Sequence, residues 1–239
     1  MDERPHVTKR SPRARSVIAT GAVLLGVALF LGLGVWQLER LAWKLDLIAR
    51  VDARLAAPPV AAPGPAAWAG LGAGGAYTRV TASGHFLADR ETAVLAVTIH
   101  GSGYWILTPF VTPDFTVLVN RGFVPPDRRD PATRTAPEGE VTVSGLLRLS
   151  EPGGGFLRAN DPAAGRWYSR DIAAIAAAQH LDGAVAPYFI DADATPNPGG
   201  WPLGGLTVVS FRNAHLSYAL TWFALAAGLA FLAWRSRRA

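Results

Sequence analysis

The sequence predicts a membrane protein of the α+β class, in which N- and C-terminal transmembrane helices flank a mainly antiparallel β domain that carries one or two helices. The helices are indicated by two apolar runs, residues 16–38 and 213–234, that contain no Asp, Glu, Lys or Arg. The domain is indicated by strand-like segments that recur about every ten residues between the two runs. We expect this central domain to lie outside the cytoplasm.

Composition excludes several kinds of site. The chain has no cysteine, which excludes disulfides, iron–sulfur clusters, zinc fingers and thiolate copper sites, and its only methionine is Met1. The net charge of +5 lies in the tails, because residues 1–15 and 235–239 contribute +3 each whereas residues 39–212 contribute −1. A nucleic-acid partner would need a basic face on the folded body, so none is expected.

The first apolar run is long enough to span a bilayer. Its 23 residues would form a helix of about 34 Å, against a hydrocarbon layer of about 30 Å. A cleavable signal peptide would have a shorter apolar core and a small-x-small cleavage site, which this segment lacks. Asp2 and Glu3 disfavour a mitochondrial presequence, which is poor in acidic residues. We therefore expect an uncleaved span.

Charge at the two ends predicts the orientation. Residues 1–15 and 235–239 form basic tails next to the two spans, and basic flanks remain in the cytoplasm. Both termini are therefore expected to be cytoplasmic, with residues 39–212 on the periplasmic side. Composition divides this outer region into a helical extension with a Pro/Gly-rich linker, 39–76, and a β-rich domain, 77–212.

The outer region is expected to begin as helix and continue as strands. Leu41, Leu45 and Ile48 recur at helical spacing, so the first helix should continue beyond the membrane. Asp171 can cap a short Ala-rich helix. The predicted strands of an antiparallel sheet or small barrel cover residues 77–86, 91–99, 103–111, 116–125, 140–150, 186–192 and 206–212.

The motifs that suggest an enzyme are incomplete. Glycines within 70–75 fit G-x-G-x-x-G, but a Pro-rich segment precedes them where a dinucleotide site needs a strand. Asp191 and Asp193 resemble the nucleophile loop of haloacid dehalogenase-type phosphatases, which would also need a later lysine, and none follows Lys44. The histidines of the outer domain lack metal-ligand spacing. No catalytic activity is therefore expected.

His215 is the only histidine in either span and marks a candidate site. An ionisable side chain one turn inside a span is a functional hypothesis by default. At about 100° per residue, Tyr218 lies about 60° and Trp222 about 20° from His215, so the three form one polar-aromatic stripe. A neutral imidazole beside flat aromatic walls suits an axial haem ligand. The alternative is an interfacial histidine that bonds to lipid headgroups or to the first span.

Three segments of the chain resemble the signatures of a known family. They are W-Q-x-x-R at residues 36–40, V-L-V-N-R-G-F-V-P at 117–125, and N-x-H-x-x-Y-A-x-T-W-F at 213–223. The segments and their order are similar to those of the Surfeit locus protein 1 family. The resemblance covers about residues 17–234, nearly the whole chain.

This resemblance implies a function. Members of the family are membrane-bound assembly factors for haem–copper cytochrome c oxidase that act while haem a is placed in oxidase subunit I. The resemblance therefore implies a non-catalytic protein of a bacterial inner membrane, with membrane lipid, oxidase subunit I and, as a further candidate, haem A synthase as partners. It also implies His215 as the contact to haem a and its iron. The rival hypothesis is a scaffold that stabilises an assembly intermediate of subunit I without binding haem.

The resemblance gives further residues of the spans a place in a haem site. Tyr218 and Trp222 would flank the haem. Arg40 could pair with a haem propionate or snorkel to the interface. Trp36 could form a wall at the haem edge or anchor the span. Gln37 is expected to be a structural or partner contact.

The central signature has a structural interpretation. Asn120, Arg121 and Gly122 indicate the end of a strand with a bulge or turn. Arg121 is expected to be either a structural hydrogen-bond hub or a contact to a partner. Gly122 indicates a close approach of another backbone segment, because no Cβ stands in its way.

Overall fold

The computed structural model describes residues 12–209 and 211–238, with only the backbone for residues 12–16. It contains two compact units: a helical pair, formed by the chain up to Arg50 and from residue 211 on, and an outer domain, Val51–Val209. Of the predicted basic tails, residues 1–11 and 239 lie outside the described residues. The predicted fold class, two apolar helices flanking a β-rich domain, is confirmed.

Three α-helices are present: α1 Pro12–Ala56, α2 Ile172–Ala178 and α3 His215–Ser236. α1 and α3 are long and apolar enough to cross a membrane. α1 continues well beyond the apolar run, as the spacing of Leu41, Leu45 and Ile48 predicts. α2 begins where it is expected, because the Asp171 side chain accepts a hydrogen bond from the Ala174 N–H and caps the helix.

The outer domain is built on seven strands: β1 Val60–Ala61, β2 Arg79–Phe86, β3 Thr92–Thr98, β4 Gly101–Val111, β5 Thr116–Val124, β6 Val141–Leu149 and β7 Val185–Ala192. The strand order is β1-β2-β6-β7-β5-β4-β3, and β2 also pairs with β4. This last pairing closes β2, β6, β7, β5 and β4 into a five-stranded barrel. All pairs are antiparallel except β1–β2 and β5–β7.

The core occupies both sides of the barrel wall. Inside, buried side chains from all five barrel strands pack together, among them Val80, Phe110 and Tyr188. Outside, α2 and Trp167 cover Leu118 and Phe189. All nine residues of β5 are therefore buried, because this strand faces the barrel interior on one side and α2 on the other.

The Pro/Gly-rich segment 56–76 is packed against the barrel. Its Pro63 carbonyl accepts hydrogen bonds from Trp68 Nε1 at 2.9 Å and from Tyr188 Oη at 2.8 Å. Trp68 packs edge-on against Phe115, with 5.8 Å between ring centroids. Burial raises the pKa of the Tyr188 phenol above its usual range. The segment thus closes one end of the barrel.

The predicted strand at 206–212 is wrong. Residues 206–209, 211 and 212 belong to no strand, and residue 210 lies outside the described residues. Gly205 has a φ of 71° that interrupts an extended ladder, although its N–H still donates to the Ala192 carbonyl at 3.1 Å. Thr207 is held by its side chain, which donates to Asp191 at 2.9 Å. The chain therefore leaves the barrel as an irregular segment that is tied to it.

Candidate functional site

The two spans pack along one continuous seam. Buried and half-buried residues recur on α3 at alternating intervals of four and three, at 215, 219, 222, 226, 229 and 233. The matching residues of α1 are 23, 27, 30, 34, 37 and 41. This spacing is that of a coiled coil, in which one stripe of each helix faces its neighbour. Gly34 is buried against the ring of Phe223, so the backbone of α1 approaches α3 closely here.

We expect Gly34→Val to destabilise the helical pair, because its Cβ would overlap the Phe223 ring. Overpacking of this kind costs about 1–3 kcal/mol. Gly32→Val is the matched control, because a Cβ there meets no atom of the described residues within 4 Å. The measurement is thermal unfolding in detergent, followed by far-ultraviolet circular dichroism. Equal midpoints for the two variants would contradict the close approach at Gly34.

His215 is hydrogen-bonded across this seam. Its Nδ1 lies 2.7 Å from Oε1 of Gln37. An amide oxygen can only accept, so this contact corresponds to the neutral tautomer that carries its proton on Nδ1, in which the lone pair of Nε2 points away from Gln37. The backbone N–H of His215 donates to the Asn213 side chain at 3.4 Å, at the point where α3 begins. The contact with Gln37 therefore orients the ring.

Aromatic side chains close the seam beyond His215. Trp222, seven residues further along α3, stacks on Phe30 of α1 with 5.7 Å between centroids and 23° between planes. Together with the contact between Gly34 and Phe223, this stacking fills the space between the helices. Phe30 was not apparent as part of the candidate site from the sequence, since one phenylalanine in an apolar run carries no distinguishing signal.

The remaining predicted haem contacts lie outside the seam. Trp36 and Tyr218 are half-exposed, at 50% and 55%. Arg40 is exposed, and its guanidinium lies over the Trp43 ring, 4.9 Å from the centroid. The structure thus brings His215, Gln37 and Trp222 into the seam between the two helices. It leaves Trp36, Arg40 and Tyr218 on the outside of the helical pair.

In the outer domain, Asn120 anchors a buried charge network. Its amide nitrogen donates to Asp191 at 2.7 Å, and its amide oxygen accepts the Gly122 N–H at 3.2 Å. Asp191 is also bonded to Arg148 at 2.9 Å and to Arg170 at 3.3 Å. Burial alone would lower the pKa of Arg170, but its bond to Glu151 and the charge of Asp191 outweigh burial and raise it.

Asp191 is the central residue of this network, a role that the sequence did not reveal. It accepts bonds from Asn120, Arg148, Arg170 and Thr207, four separate segments. The sequence offers one signal for this role, which is that the Asp191 carboxylate directly follows the buried apolar residues of β7. The same pattern also fits an Asp-rich turn at the end of a strand.

Arg121 is a buried hydrogen-bond hub. Its Nε and Nη2 donate to Asn197 Oδ1 at 3.2 and 3.1 Å, and its guanidinium stacks on Phe86. Glu91 lies 4.0 Å away but is bonded mainly to Arg134. Burial lowers the pKa of Arg121 to about 10. Of the two predicted roles, this geometry favours the structural one.

Gly122 makes the predicted close approach. The β4–β5 register shifts here, so that β5 carries one extra residue at the position of Arg121 and Gly122. Gly122 has a φ of 132°, and a Cβ there would overlap the Leu203 backbone. Leu203 in turn exchanges two backbone hydrogen bonds of 2.9 Å with Phe123. The bulge therefore holds the segment by which the chain leaves the barrel.

Comparison with known proteins identifies relatives over most of the chain. The profile of the SURF1 family matches residues 24–227. Surfeit locus protein 1 of Rattus norvegicus is 37% identical over 224 residues, 85% of this chain and 71% of the relative. The Homo sapiens protein of the same name is 37% identical, over 88% of this chain and 74% of its own. That of Takifugu rubripes is 34% identical, over 88% and 93%.

Proposed function

Because this chain belongs to the SURF1 family, we propose that it is a membrane-bound, non-catalytic assembly factor for haem–copper cytochrome c oxidase. In this proposal it assists the delivery of haem a to oxidase subunit I. It acts in a bacterial inner membrane, with both termini in the cytoplasm and the barrel in the periplasm. Haem a is the cargo, haem A synthase is a candidate donor, and subunit I is the acceptor.

The pair formed by His215 and Gln37 carries the proposal. A histidine that ligates a metal donates its other ring N–H to an oxygen, which fixes the ring and raises its basicity. His215 meets this requirement, since Nδ1 is engaged by Gln37 at 2.7 Å and Nε2 is the nitrogen left to ligate iron. The donor set of one imidazole thus fits haem iron.

The packed seam leaves no space for haem between the two helices. Phe30, Trp222 and Phe223 fill the space between the helices. Haem would therefore contact His215 from outside the seam, where the exposed rings of Trp36 and Tyr218 are available as flat walls. Arg40, also exposed, is the proposed partner of a propionate. A single, half-buried ligand at the edge of the seam suits cargo that must be released.

The test is the absorption spectrum of the detergent-purified protein, co-expressed with the enzymes of haem A synthesis. We expect a stoichiometric haem a signal from the wild type and its loss from His215→Ala. Gln37→Leu keeps the ligand but frees its ring, so haem affinity should fall by about tenfold to a hundredfold. His85→Ala, an exposed histidine of the outer domain, is the control and should retain the signal.

Two outcomes would contradict the proposal. Haem retained by His215→Ala would remove this residue as the ligand. A folded wild type without haem would favour the scaffold, which stabilises an intermediate of subunit I without binding haem. Recovery of subunit I with the haem-free protein in a pull-down would then support that alternative.

A further inference from the structure

The hairpin formed by β3 and β4 has an uncharged, apolar tip. Residues 92–113 contain no Asp, Glu, Lys or Arg. On β3, Val94 and Ala96 are buried in the domain, whereas Val97 on the opposite face is 80% exposed. Ile99, beyond the end of the strand, is 87% exposed. An exposed apolar edge without a charge to protect it indicates a surface that is covered in the working protein.

This tip lies beside the segment by which the chain leaves the barrel. The His100 ring stacks on Phe123, with 6.1 Å between centroids. Phe123 is bonded through its backbone to Leu203, as described above. From Leu203 the chain runs to Val208, which is 78% exposed. The hairpin tip and the exposed Val208 therefore belong to the same end of the barrel.

The short connection to the second span limits how far this end of the barrel can be from the bilayer. The charge-free stretch that forms the second span begins at Asn213, five residues after Val208. Even fully extended, five residues cover no more than about 18 Å. The exit segment can therefore be no farther than this from the start of a membrane span. Of the possible occupants of the apolar tip, the lipid surface is the one to which the chain is already joined.

We propose that the tip of the β3–β4 hairpin, with Val97 and Ile99, inserts into the interfacial layer of the lipid bilayer. Tyr104, on β4 opposite Leu95 and therefore on the same face of the hairpin as Val97, provides an amphipathic ring at its base that suits headgroup depth. The outer edge of β3 carries backbone groups that need water, so insertion stops at this layer. Because the exit segment joins this end of the barrel covalently to the second span, shallow insertion is sufficient.

The experiment uses the full-length protein in lipid nanodiscs. Because the chain has no cysteine, Val97→Cys and Ile99→Cys each provide a single site for an environment-sensitive fluorophore. Asp114→Cys is the matched control, because Asp114 is exposed in the turn between β4 and β5, at the opposite end of the barrel. Each label is quenched in turn by spin-labelled lipids and by aqueous iodide.

Labels at positions 97 and 99 are expected to be quenched by spin-labelled lipids and to be severalfold less sensitive to iodide than the label at 114. Equal iodide quenching at all three positions, without quenching by lipid, would overturn the proposal. Iodide access that is lost only when a partner protein is added would also overturn it, because the tip would then be a protein-docking edge. Neither result depends on whether haem is bound.

Discussion

Replacing Asp191 with alanine is expected to lower the free energy of unfolding of the outer domain by about 3–5 kcal/mol. The carboxylate is 2% exposed and lies between the guanidinium groups of Arg148 and Arg170. Without the Asp191 carboxylate, these two largely buried guanidinium groups have only Glu151 as an anionic partner, and both must share it. Thr207 also loses its acceptor, so the segment that leads out of the barrel is released at the same time.

Two further variants make this expectation specific. Glu151→Ala should cost far less, because Glu151 is 39% exposed and its removal leaves the arginines paired with Asp191. Asp114→Ala, on an exposed turn, should be nearly neutral. Chemical unfolding of the detergent-solubilised protein, followed by tryptophan fluorescence, ranks the three variants by their free energy of unfolding. An Asp191 variant no less stable than the Glu151 variant would contradict the central role of Asp191 in the network.

The elements of the fold were predictable, but the choice between an open antiparallel sheet and a small barrel was not. The apolar runs and the alternation along the strands are local patterns, and they gave both spans and the first six predicted strands to within a few residues. Closure depends on the pairing of His85 with Val111 and Phe86 with Phe110, which no local pattern specifies. The packing of the Pro-rich segment was not predictable for a related reason: Trp68 finds its partner Phe115 far along the chain.

The candidate site was predictable in its ligand but not in its surroundings. His215 stands out because it is the one histidine in two apolar runs. Its partner Gln37 lies 178 positions away, and only the packing of α1 on α3 brings the two side chains together. The helical angle between them places Tyr218 near His215. The seam, however, follows residues 215, 219 and 222, so that His215 lies in the seam and Tyr218 lies outside it.

Gly122→Ala is expected to destabilise the outer domain by more than about 3 kcal/mol. Two effects add at this position. A φ of 132° is strained for any residue with a Cβ, and the new methyl group would overlap the Leu203 backbone. Neither effect can relax easily, because Leu203 is held to Phe123 by two hydrogen bonds and the Gly122 N–H is bonded to Asn120.

Gly139→Ala tests a positive φ without the overlap. Gly139 also has a positive φ, 72°, but a Cβ there meets no atom within 4 Å among the described residues. This variant should therefore cost only about 1 kcal/mol, the strain of the backbone alone. The measurement is the unfolding midpoint of both variants under the same conditions. Equal losses would mean that the exit segment moves away from the bulge freely. A much larger loss at Gly122 would mean that the bulge fixes the segment that connects the barrel to the second span, which would explain why this signature is built around a glycine.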